Sequence, residues 1–203
     1  MNRSRGRPRD DTADERILDA ALEALLSKGY DGFSMDAVAA QAGCAKTTLY
    51  RRWPSQDHLI VAVVARMQQD VDVADTGDIR RDLVRYLTAI AAGLNRMRRA
   101  GRPETAGGSS AGVIAEITAA AARHEDIGLA VQRMFEHRNK VPLELIERAK
   151  ARGDLPADLD AEVLFDQLAG GLYYRVLVTQ RPVGPSYVDR LVKTALAKKG
   201  TEE

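Results

Sequence analysis

Apolar residues recur three and four positions apart through most of this chain, and strand-type alternation is almost absent. The first such segment, Ala13–Lys28, carries Ile17, Leu18, Ala21, Leu22 and Leu25 on one stripe, with Gly29 where a helix end belongs. Ser34 is a good N-cap for a short second helix that sets Met35, Val38, Ala39 and Ala42 on one face. Gly43 breaks that helix, and a short third one follows over about Lys46–Arg51. Pro54 and Ser55 mark another break and a new cap. Asp57 then sits at the positive end of a longer fourth helix bearing Leu59, Ile60, Val63 and Met67.

Asp70–Gly77 is polar and reads as a joint. A long fifth helix follows over Asp78–Arg99, with Leu83, Leu87, Ile90, Ala91 and Leu94 on one side. Gly101–Gly112 is a loop or a weak helix start, and Val113–Arg123 is Ala-rich and helical. Ile127–Arg152 is helical with a kink or break predicted at Pro142, and Gly153 ends it. Asp160 caps a helix running through Val178. Gly184-Pro185 opens the last one, whose stripe is Val188, Leu191, Val192, Ala195 and Leu196. The pattern predicts an all-α fold of about nine helices.

Composition narrows the class. With 45% hydrophobic and 29% charged residues, the chain can bury a core and stay in solution. No uncharged run is long enough to span a bilayer, and the Arg-rich start lacks an apolar signal core, so a cytoplasmic protein with no membrane partner is expected. A single Cys excludes an internal disulfide, a Cys-based zinc finger and a CxxC redox pair. The three histidines, His58, His124 and His137, are scattered, and no HExxH, GxSxG, P-loop or GxGxxG is present. Glu136 and His137 are adjacent and point in different directions on a helix. An enzyme is therefore not expected, nor a cofactor, nor a metal site.

The residues from Ser34 to Arg52 fit a helix-turn-helix unit. Ala39 is small where two helices cross, Gly43 suits a left-handed turn, and Cys44 and Leu49 are apolar where the third helix faces the core. Lys46, Thr47, Thr48, Tyr50, Arg51 and Arg52 offer donors on the other side. Such a helix lays its N-terminal side chains in the major groove, which puts Lys46 and Thr47 nearest base edges and leaves Tyr50, Arg51 and Arg52 for phosphates. A solvated basic turn between core helices is the plainer alternative.

The stretch "FSMDAVAAQAGCAKTTLYRRWPSQDHL" resembles the DNA-binding head of the TetR family of one-component regulators. The resemblance is specific from about Ile17 to Leu59. It continues more weakly through "ARGDLPADLDAEVLFDQLAGGLYYRVLVTQRPV", similar to the closing helices of a subgroup with a Tyr-Tyr-Arg segment. It implies a homodimer, probing double-stranded DNA with an N-terminal head, and a larger domain that binds a small effector. The corresponding division is a disordered basic arm at 1–11, a helix-turn-helix domain at 12–58 and an effector-binding and dimerisation domain at 59–203. Carried over position by position, the DNA-facing set is Ser34, Lys46, Thr47, Thr48, Tyr50 and Arg51. Two positions depart from the family pattern: Ala45 stands for a capping Ser, and Gln56 stands where a Lys often meets phosphate. The missing cap is worth about 0.5–2 kcal/mol.

Arg5-Gly-Arg7-Pro8 resembles the core of an AT-hook, making Arg5 and Arg7 candidate minor-groove contacts, against the alternative of a solubilising tail. The resemblance makes the last two helices a dimer bundle, with Leu164, Leu168, Gly171, Leu172, Leu191 and Ala195 in the interface. Packing within one chain is the other reading. Candidate effector-pocket residues are Tyr86, Ile90, Leu94, Met97, Met134, Phe135 and Tyr173, with ordinary core packing as the plainer alternative for each. At 5% aromatic residues a large aromatic cage is disfavoured, so a mostly aliphatic, roughly neutral cavity is expected. Arg175 could bind an acidic effector or pair with a carboxylate. The fourth helix is the expected lever between head and body, and Gly101–Gly112 either an entrance to the cavity or a surface loop. The function expected is a repressor that binds a palindromic operator and is released by its effector. Two alternatives remain: a redox-responsive regulator using Cys44, and a helical interaction module that never touches DNA.

Overall fold

The computed structural model describes residues 11–69, 73–100 and 112–197. Among them lie nine α-helices: α1 (Asp11–Lys28), α2 (Met35–Gln41), α3 (Lys46–Arg52), α4 (Gln56–Gln69), α5 (Ile79–Arg99), α6 (Val113–Arg123), α7 (Glu125–Arg152), α8 (Ala161–Tyr173) and α9 (Pro185–Ala195). The expected stripes account for them. Ile17, Ala21 and Leu25 of α1, Val38 of α2, Leu49 of α3 and Leu59, Ile60 and Val63 of α4 are fully buried together. Ser34 accepts from the Ala37 amide and caps α2 as expected, while Ala45 leaves α3 without a side-chain cap.

The first hydrophobic cluster does not stop at the head. Met97 and Ala100 from the end of α5, Val113, Ile117 and Ala120 of α6 and Ile127 of α7 belong to it as well. The second cluster holds the rest of α5 with α7, α8 and α9, including Leu83, Tyr86, Leu87, Ile90 and Leu94. The described part of the joint is tied down. Buried Asp82 accepts from the Thr76 amide at 2.9 Å and the Thr76 hydroxyl at 2.7 Å, and Asp78 caps α5.

Two helices differ from expectation. First, α7 begins at Glu125 and runs without a break through Pro142. A proline inside a helix removes the N–H that the carbonyl four residues earlier would accept. That carbonyl is Arg138's, and the Tyr86 hydroxyl of α5 donates to it at 2.7 Å. A side chain from a neighbouring helix replaces the missing donor. Second, α8 ends at Tyr173 and continues as a π-helical turn, Tyr174–Val178, a rare wider turn within a helix.

Candidate nucleic-acid interface and ligand cavity

The turn between α2 and α3 is built on Gly43, whose φ of +63° an L side chain rarely adopts. Cys44 follows, half-buried against the head core, its amide donating to the Ala39 carbonyl at 3.0 Å. Leu49 anchors α3 from beneath with no exposed surface. The opposite side of α3 faces solvent: Lys46, Thr47, Tyr50 and Arg51 are exposed, Thr48 is half-buried, and Ser34 is exposed beside them at the start of α2.

Two of the basic residues have internal partners. Lys46 Nζ lies 2.5 Å from the Asp36 carboxylate, which by hydrogen bond and charge holds the ammonium's pKa above its usual value. Arg52 is mostly buried and paired with Asp14 of α1. It thus stands against α1, unlike the exposed Lys46, Thr47, Tyr50 and Arg51. Gln56, at the position where the family often has Lys, donates to the Tyr30 carbonyl at 2.9 Å. Tyr30 in turn donates to Asp57 at 2.5 Å, and burial followed by that carboxylate pushes its pKa up to about 12. Arg5 and Arg7 lie outside the described residues.

A cavity of about 520 Å³ opens between α4, α6, α7 and α8. Its walls are mainly apolar: Val61 and Val64 from α4, Ile114, Ile117 and Ala121 from α6, Val131, Met134 and Phe135 from α7, Ala169 and Tyr173 from α8, and Leu177 from the π turn. Of the expected lining, Met134, Phe135 and Tyr173 are there. Tyr86, Ile90, Leu94 and Met97 are not; they are buried in the core and border only a void of about 20 Å³. Tyr86 points inward because the carbonyl exposed by Pro142 needs its hydroxyl, and burial pushes its pKa up to about 12.

The residue missed from sequence is Arg138. It stands among charged neighbours, Glu136-His137-Arg138-Asn139-Lys140, which read as a solvated face. Only 7% of it is exposed, and it lines the cavity. Its guanidinium carbon lies 4.4 Å from the Phe135 ring centre and 5.8 Å from that of Tyr173. Nη1 donates to the Tyr173 hydroxyl at 2.7 Å, and Nε and Nη2 donate to Asn139 Oδ1 at 3.2 Å. Arg175, the candidate for an acidic ligand, is elsewhere. It stacks on Tyr187 at 4.3 Å and donates to the Pro182 carbonyl. The cavity and the head share walls, since Val61, Val64 and Ile117 belong to the cluster that includes Leu25, Val38 and Leu49. His58 adds a polar link across the same junction, from Ser55 at 2.9 Å to Asp126 of α7 at 3.3 Å.

The expected dimer residues divide. Leu164, Leu168 and Leu172 are buried in the core that α8 shares with α5, α7 and α9, and Leu164 also borders the open groove beside α9. Gly171 lets α9 approach: a Cβ there would meet the Leu191 side chain at 3.2 Å. Leu191 and Ala195 are half-buried at the edge of an open apolar groove of about 650 Å³, which also takes in Leu155, Leu159, Val163 and Gln167. The large apolar side chains left in solvent on this side are Val163, Tyr174 and Val178, all more than half exposed.

Residues 17–63 match the family described as bacterial regulatory proteins, tetR family, and residues 73–195 match the tetracyclin repressor-like C-terminal domain. The chain belongs to the TetR family of transcriptional regulators. It is 33% identical over 197 residues to the uncharacterized HTH-type transcriptional regulator YdeS of Bacillus subtilis (strain 168), covering 96% of this chain and 93% of that protein. It is 30% identical over 191 residues to the DNA-binding transcriptional repressor TetR of Mycobacteroides abscessus, covering 93% and 94%. Its fold matches the crystal structure of the TetR family transcription regulator SCO0332 with a TM-score of 0.72 and 29% identity, over 91% of this chain and 96% of that one. A TetR-family chain is a DNA-binding regulator and not an enzyme. No helix among the described residues is long and apolar enough to cross a membrane.

Proposed function

We propose that this TetR-family regulator is a cytoplasmic homodimeric repressor that binds a palindromic operator and leaves it when a small molecule occupies the cavity between α4, α6, α7 and α8. The observation that carries the reading is the shared wall: Val61, Val64 and Ile117 face the cavity and also pack in the head core. A ligand that moves α4 or α6 must therefore repack the support of α3. By linkage, a ligand preferring the repacked state lowers operator affinity by the same factor as the operator lowers its own. Repression is supported by the Mycobacteroides abscessus relative, which is named a repressor.

Within this reading, Ser34, Lys46, Thr47, Thr48, Tyr50 and Arg51 face DNA, and the two recognition helices of a dimer stand about one helical turn apart, roughly 34–36 Å. The domain division is a head at 12–58 and an effector and dimer domain at 59–203. The second subunit covers the outward face of α8 and α9, where Val163, Tyr174 and Val178 would otherwise leave an apolar patch in water. The test combines sedimentation at micromolar concentration with a mobility-shift assay on the DNA upstream of the chain's own gene. A dimer that shifts that DNA, and loses the shift with Lys46→Ala and Tyr50→Phe combined, is the expected result. A monomer, or a shift indifferent to both substitutions, overturns the reading.

A further inference from the structure

We propose that the cavity ligand is a neutral lipophile with a carbonyl group (a ketone, ester or lactone), whose oxygen accepts from the Tyr173 hydroxyl and the Asn139 amide; this rests on the reading of the cavity as the effector site. The arrangement follows from how Arg138 is held. Its Nε and Nη2 donate to Asn139 Oδ1, its Nη1 donates to Tyr173 Oη, and it makes a further interaction beyond these. Arg138 is thus a satisfied part of the wall, and it organises the two groups that accept from it. Tyr173 Oη takes a proton from Arg138, so the hydroxyl's own proton is left to donate, and among the described residues nothing accepts it. Asn139 Oδ1 is turned to Arg138, which leaves the amide nitrogen as a donor. Both residues line the cavity. A hydroxyl that accepts from a cation is also a stronger donor than a free one, because each bond in such a chain polarises the next.

This end of the cavity therefore offers donors, and the body of it offers hydrocarbon from Val64, Ile114, Ile117, Val131, Met134 and Leu177. A carbonyl accepts and has no proton of its own to place, so it matches the donors. A ligand hydroxyl would bring a proton that two donors cannot take, and an unplaced polar proton in a dry site is costly. The carboxylate in the lining, Asp166, stands seven positions before Tyr173 on α8, about 10.5 Å along the helix axis, and is exposed. It is too far to serve the same ligand atom. An anion fits worse still. Its charge would enter an apolar space in which the Arg138 cation already has its partners, and a buried charge without a partner is far more costly than a neutral dipole. Asp166 adds a like charge to the same lining.

The test uses the full-length protein and three probes of one chain length: methyl hexyl ketone, the alkene with a methylene in place of its oxygen, and octanoate. Calorimetry gives the affinities, and each neutral probe is scaled by its own partition into hexadecane, which removes the hydrophobic part. On that scale the ketone should exceed the alkene by at least about tenfold, the gain of a hydrogen bond made in a dry site. Octanoate should bind more weakly than the ketone. The carbonyl carbon resonance of isotopically labelled ketone should lie downfield of its position in hexadecane, the signature of an accepted hydrogen bond. Tyr173→Phe should cut the excess and move that resonance back, and by freeing Arg138 Nη1 it should strengthen octanoate. Ala169→Phe, which fills the cavity, should weaken the ketone and the alkene alike. Gly170→Phe is a second filler, at a position where a Cβ meets nothing within 4 Å. If the scaled ketone and alkene bind equally, if octanoate binds as tightly as the ketone, or if Tyr173→Phe changes neither excess nor resonance, the carbonyl proposal fails. The cavity reading then stands, provided a filler still weakens binding. If no probe binds, the carbonyl proposal fails outright. If probes bind and neither filler changes them, the site is elsewhere and both readings fall. The ketone and alkene on the unsubstituted protein decide the matter even if Tyr173→Phe does not fold.

Discussion

The DNA-facing surface and the cavity place their cations in opposite surroundings. On α2 and α3 the side chains proposed to face DNA come from one short stretch, Ser34 to Arg51, and stand mostly in water on a rigid support. In the cavity they come from four helices and the π turn, from Val61 to Leu177, and the cation at the wall is buried against two aromatic rings. An exposed cation can be removed with little effect on folding, because water already solvated it. A buried one is part of the packing, and so are the groups that hold it. The head should therefore lose function without losing stability, and the cavity wall should lose both together.

The largest effect expected is on α3. Arg51→Ala should weaken operator binding by about tenfold or more, uniformly across sequences, and reduce the salt dependence by about one unit of slope. The melting temperature should stay within a degree or two of the parent. A large fall in melting temperature alongside lost binding would erase the contrast. Next is Tyr86→Phe, which strips the donor from the Arg138 carbonyl that Pro142 leaves without a helical partner. Chemical denaturation should show a loss of about 1–3 kcal/mol, while the folded fraction binds operator normally. No loss of stability would mean that water or a helix shift replaces the hydroxyl.

Asp36→Asn should have a smaller and opposite consequence. It frees Lys46 and removes a negative charge from the DNA-facing side. Affinity for unrelated DNA should rise by about two- to fivefold at low salt, measured by fluorescence anisotropy. Unchanged affinity would show that Lys46 stays clear of DNA. The smallest effect is on pH. Tyr30 in the head and Tyr86 in the body both have folded pKa values raised to about 12, above an unfolded value near 10. Each contributes stability that is complete below pH 10 and lost as pH rises through 12. Thermal melts should fall across that window. Tyr30→Phe and Tyr86→Phe should each flatten part of the fall, and a slope unaffected by either would assign it to other groups.

The same contrast explains what could be read from sequence. The helix-turn-helix is local: Ala39, Gly43, Leu49 and the donors of α3 lie within one short stretch, and each residue type has its reason there. The all-α fold followed from periodicity for similar reasons. The cavity is not local. Phe135, Arg138 and Tyr173 meet only because α7 packs on α8, and charged neighbours on both sides hide Arg138. Tyr86 has the composition of a lining residue, yet its role is set by a proline far along the chain. Arg52 looked like the other basic residues of α3 until α1 brought Asp14 beside it. On α8 the Leu stripe, expected at a dimer surface, is buried within the chain, and the apolar side chains left exposed are the offset row containing Val163 and Tyr174. Periodicity finds a face; it does not say which neighbour claims it.

The shared wall also constrains how such a protein can diversify. Val61, Val64 and Ile117 serve two cores at once, so a substitution that reshapes the cavity there disturbs the footing of the DNA-reading helix. Phe135, Asn139, Ala169, Tyr173 and Leu177 border the cavity without belonging to the head's cluster. Descendants of this chain that acquire new ligands while keeping their operator should therefore carry their changes on the α7–α8 side, with the α4–α6 side held still.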